Sequence, residues 1–104
     1  MFNSNNLLTL AYFIQAILER NHYFVEDSRY EALGALKQIT FSGDSDFFQA
    51  KYLNLYKIFS EEMPETLVQT SNSAKLVPIW DISLRTEKDL REALKEIERL
   101  KDLE

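Results

Sequence analysis

The sequence predicts an all-α protein, a compact bundle of four main helices with a long extended crossover before the last one. Three observations lead there. Glycine and proline, which end helices and make tight turns, number only two each in 104 residues, well under their usual ~7% and ~5%. No Asn-Gly or Asp-Gly pair is present to turn a β-hairpin. Four segments repeat apolar residues at the three-to-four spacing of an amphipathic helix. The length fits a single domain over residues 1–104.

The first helix is expected over residues 4–20, capped by Ser4, Asn5 or Asn6. Leu7, Leu10, Ala11, Ile14, Ile17 and Leu18 share one face, and Leu8, Tyr12 and Phe13 widen it. An arc that wide suits a central helix packed on more than one side. Residues 21–25 then break the period. Asp27 or Ser28 is the expected cap of a second helix over residues 29–39, with Ser28 and Glu31 in capping-box spacing and Ala32, Leu33, Leu36 and Ile39 inward. Gly34 falls on the opposite face, at a cost of ~1 kcal/mol relative to alanine. That cost reads as tolerated rather than as a sign of a close neighbouring backbone.

Residues 40–43 form the clearest loop. Asp44, Ser45 and Asp46 offer caps for a third helix reaching about residue 62, with Phe48, Tyr52, Leu55, Tyr56 and Phe59 on one side. Pro64 ends this helix or opens a short further turn over residues 65–69. A polar linker, residues 70–73, precedes the least helical stretch, KLVPIWDISL, where Pro78 biases Val77 toward extended backbone and Trp80 is expected to anchor the crossover. The last helix starts at Thr86, with Asp89 completing a capping box, and buries Leu90, Ala93, Leu94, Ile97 and Leu100. Glu87–Arg91, Glu92–Lys95 and Glu98–Lys101 are its favourable charge pairs. The competing architecture is α+β, with a small sheet made from the β-prone patches 22–25, 39–41 and 76–82.

Composition narrows function by exclusion. The net charge of −5 disfavours nucleic acid and anionic membranes as partners and favours a basic protein. A helix-turn-helix drawn through residues 29–56 would aim Asp44 and Asp46 at phosphates. The apolar run 7–18 falls short of the ~20 residues of a membrane span and lacks the basic flank of a signal peptide. With no cysteine, disulfide and thiolate chemistry are excluded and a cytoplasmic setting is expected. The single histidine, His22, reads as a surface or loop residue. Asp44-Ser45-Asp46 resembles the start of a calcium loop, but Gln49 stands where glycine is required. The acidic run 61–65 reads as a solvated helix end. No phosphate-cradling glycine motif is present. No metal, cofactor or catalytic residue is therefore implied.

The aromatic residues remain. Five tyrosines and one tryptophan accompany the acidic balance, a pairing that suits rigid interface anchors with steering charges. Tyr30, among Glu26, Asp27 and Glu31, is the most interface-like group, joined by Asp44 and Asp46 at the start of the third helix. The expected function is a protein-binding module that needs no enzymatic apparatus: a stoichiometric inhibitor of the immunity or antitoxin type, neutralising a basic partner. The alternative is an assembly subunit that forms homo-oligomers through its C-terminal amphipathic helix.

Overall fold

The computed structural model describes residues 4–60, 65–69, 76–80 and 82–103. Four helices follow one another, α1 (Ser4–Leu18), α2 (His22–Phe41), α3 (Asp46–Ser60) and α4 (Leu84–Asp102). Each packs on two of the others, so that α1, α2, α3 and α4 close a ring. The molecule is thus an all-α four-helix bundle with a long connector before the last helix. That connector carries two short strands, β1 (Glu65–Gln69) and β2 (Leu76–Trp80), paired antiparallel with Leu67 opposite Pro78. Both are edge strands, where proline is tolerated because no second neighbour needs its missing N–H. No larger sheet is present among the described residues, since the patches 22–25 and 39–41 are helical.

The bundle centre follows the apolar spacing. Leu7, Leu10, Phe13, Ile14 and Ile17 of α1 are fully buried, and α1 packs on both α2 and α4. Leu8 and Tyr12, by contrast, face outward. Val25, Ala32, Leu36 and Ile39 come from α2, and Phe48, Leu55 and Phe59 from α3. The α4 seam of Leu90, Ala93, Ile97 and Leu100 completes the core. Phe13 and Phe59 meet edge to face across it, with ring centroids 4.8 Å apart, a geometry favoured by the ring quadrupoles.

Several element ends differ from the sequence expectation. α2 begins at His22, not Arg29, because Asn21 caps it by accepting the Phe24 N–H at 3.2 Å. Asp27 and Ser28 therefore lie inside the helix and cap nothing. The turn before it is tight: Asn21 N–H donates to the Ala16 carbonyl and Arg20 N–H to the Ile17 carbonyl. This Schellman arrangement places Arg20 in the left-handed region at φ 59, a conformation usually given to glycine. An arginine there concealed the turn. At its other end α2 runs through Thr40 and Phe41, so the loop to α3 is shifted to residues 42–45. Gly43 supplies the positive φ of 77 that this loop requires.

α3 is capped by Ser45. α4 starts two residues earlier than expected, because Ser83 accepts the Thr86 N–H at 3.1 Å. Asp89 completes no capping box; it is buried, with Lys51 Nζ 3.6 Å from its carboxylate. Residues 65–69 are strand rather than a helical turn, consistent with the β-branched Thr66 and Val68. The acidic run at 61–64, the linker at 70–73 and the side chain of Trp80 lie outside the described residues.

Candidate partner-binding surface

The inward stripe of α2 dictates what its opposite side presents. At 3.6 residues per turn, burial of Val25, Ala32, Leu36 and Ile39 turns Tyr23, Asp27, Tyr30, Gly34 and Phe41 to solvent. Tyr23 and Tyr30 are each 84% exposed and Phe41 75%. Three large aromatic rings on the outer line of one helix have no role in the core. Gly34 sits between them. An added Cβ there would meet nothing within 4 Å, so no neighbouring backbone requires the glycine, as the sequence reading held.

Glu26, Asp27 and Glu31 surround Tyr30 on the N-terminal half of α2, and all three are exposed. Glu26 is partly engaged: Arg29 Nη2 donates to its carboxylate at 2.8 Å. The same guanidinium donates through Nη1 to the Phe59 carbonyl at 2.7 Å, satisfying an acceptor in the last turn of α3 that has no helical partner. Arg29 thereby ties the start of α2 to the end of α3 and holds Glu26 at the edge of the acidic group.

Asp44 and Asp46 stand elsewhere. α2 and α3 are antiparallel, so the start of α3 lies at the far end of α2. Asp27 and Phe41 alone are separated by about 21 Å of helix at 1.5 Å per residue. The structure thus brings Glu26, Asp27, Tyr30 and Glu31 together and leaves Asp44 and Asp46 outside that group. Both are exposed, and Asp46 lies toward the last turns of α4, where Glu96 chiefly, and Asp46 to a lesser degree, favour the charged form of Arg99.

At that end Ser45 Oγ donates to Glu96 Oε2 at 2.5 Å while accepting the Phe48 N–H at 3.2 Å. Arg99 donates to both Glu96 oxygens, at 2.7 and 2.8 Å. These Arg99 hydrogen bonds are the main reason the Glu96 carboxyl lies below its ordinary range; Ser45 adds to the effect and partial burial opposes it. The arrangement is a structural tie with no unpaired nucleophile or base.

Sequence reasoning missed Tyr23 and Phe41. The signal was available: Tyr23 and Tyr30 are seven residues apart, one face of a helix, but starting the helix at Arg29 left Tyr23 outside it. Phe41 continues sideways into Tyr52 and Tyr56 of α3, with successive ring centroids 5.9 and 5.7 Å apart, and Lys37 Nζ stands 6.0 Å from the Tyr56 ring. Among the described residues no group of three or more His, Asp or Glu side chains is placed to hold a metal ion, and no helix is long and apolar enough to cross a membrane. No family model, curated protein or solved structure matches this chain.

Proposed function

We propose that this chain is a cytoplasmic protein-binding module that neutralises a basic partner stoichiometrically, in the manner of an immunity protein or antitoxin, and acts by covering its partner rather than by catalysis. One observation carries the reading. Tyr23 and Tyr30 stand 84% exposed on the outer line of α2, bordered by Asp27 and Glu31. Interfaces use rigid aromatic anchors of this kind, and carboxylates around them raise the rate of encounter with a cationic surface. The alternative of assembly through the C-terminal helix loses its motive, because Leu90, Ala93, Ile97 and Leu100 are spent in the core of the chain itself.

The test is affinity capture from the native host, followed by binding kinetics with the captured protein. Tyr30→Ala should mainly speed dissociation, and reversal of Asp27 and Glu31 to lysine should mainly slow association. Association should also slow as salt rises, since the Debye length falls from ~10 Å at 0.1 M to ~3 Å at 1 M. A partner whose binding ignores salt and all three substitutions would remove this surface from consideration.

A further inference from the structure

On another side of the bundle, α3 and α4 leave a groove of about 360 Å³ lined by Asn54, Lys57, Ile58, Arg85, Thr86 and Asp89. Its charge runs against that of the chain. Among the described residues of its lining Asp89 is the one acid, and Lys51 Nζ lies 3.6 Å from that carboxylate. Arg85 stands four residues before Asp89 on the same helix, a spacing that allows an ion pair, yet Asp89 is matched by Lys51 instead. Lys57 and Arg85 are both exposed and form no ion pair among the described residues. Two cations from two helices, without a counter-charge among the described residues, therefore line one cleft on a chain of net charge −5.

The neutral groups suit the same ligand. Thr86 Oγ1 accepts from Ser83 Oγ at 2.9 Å, which leaves its own proton to donate, and the Asn54 amide adds two further donors. The Thr86 backbone N–H is already taken by Ser83, so at this residue the hydroxyl is the group left to donate.

We propose that this groove binds a phosphate group, as the free ion or as a small monoester. A dianion matches two cations, and its several acceptor oxygens match the donors. The Arg85 guanidinium can engage two of those oxygens at once, while Lys57 acts as a point charge from the opposite wall. The volume exceeds that of the bare ion and leaves Ile58 as an apolar rest for the remainder of an ester. This inference is independent of the α2 surface.

The experiment is an amide NMR titration of the full chain with inorganic phosphate, and separately with glycerol 2-phosphate, against sodium chloride at equal ionic strength. Saturable shifts centred on residues 54–58 and 85–89 are expected. Saturation by both probes assigns the phosphate group as such, and saturation by inorganic phosphate alone assigns the free ion. Lys57→Glu and Arg85→Glu should each weaken binding on the order of tenfold. Lys101→Glu, at the far end of α4, and Tyr30→Ala should leave it within about twofold, the scale of an uninvolved surface substitution. Both groove variants alter exposed side chains, so unchanged melting curves verify that they fold. Shifts that fail to saturate with either probe, or affinity that survives both reversals, would overturn the proposal.

Discussion

The hydroxyl of Ser45 accepts the Phe48 N–H and donates to Glu96, joining the start of α3 to α4 across 51 positions of sequence. Replacing it with alanine removes a helix cap and a hydrogen bond to a charged group. Ser45→Ala should therefore cost about 2 kcal/mol in denaturant unfolding at neutral pH. Glu96 gives the pH signature of the same tie. Its carboxyl is held below its ordinary value of 4.5 in the folded chain, chiefly by Arg99. A depressed carboxyl contributes stability above its unfolded pKa and loses it as pH falls through the folded one. Glu96→Gln should thus be less stable than the parent at neutral pH, and the gap should narrow as pH drops below 4.5. A gap that is constant with pH would assign Glu96 no ionic role. The serine was legible as one of three possible caps; Glu96 was not, because nothing local links positions 45 and 96.

At the scale of elements, α1 is one wall of the four-helix ring. Its buried stripe meets α2 on one side and α4 on the other. Ile14 is fully buried at the middle of that stripe, so Ile14→Ala should cost about 2–5 kcal/mol. A loss under about 0.5 kcal/mol, the scale of surface substitutions, would place α1 outside the core. The charge pattern of α4 was only partly readable. Glu87–Arg91 closes at 2.9 Å and Glu96–Arg99 at 2.7 Å, whereas Glu92–Lys95 and Glu98–Lys101 form no ion pair among the described residues. Spacing permits a pair, but competing partners and solvent decide whether two long side chains remain together.

For the whole molecule, stability is expected to come from the shared apolar interior without help from metal or disulfide. The chain has no cysteine, and the one histidine opens α2. A chelator such as EDTA should leave the melting temperature unchanged. A fall of several degrees would reopen Asp44, Asp46 and Glu61 as ligands. The ring of helices also sets where function can reside. It spends the α4 seam on the interior and turns the tyrosine line of α2 outward. It also leaves the α3–α4 cleft between cations that sequence alone does not bring together.

Fold class and helix number were determined by the sequence because both are local. Apolar periodicity and scarce glycine and proline act over a few turns of chain, and they identified most inward residues of the four helices, missing Val25 and Ala35 and placing the exposed Tyr56 inward. The turn at Arg20 escaped because its left-handed conformation is imposed by two backbone hydrogen bonds, not advertised by glycine. Leu8 and Tyr12 looked like core and face solvent, since the width of a buried arc depends on how many neighbours arrive. The acids expected to cluster were divided by tertiary structure: antiparallel packing puts the starts of consecutive helices at opposite ends. The same packing alone decided that Asp89 would meet Lys51, leaving Arg85 and Lys57 without a counter-charge among the described residues. Charge balance at a surface depends on distances across the fold, and those distances exist only once the helices have packed.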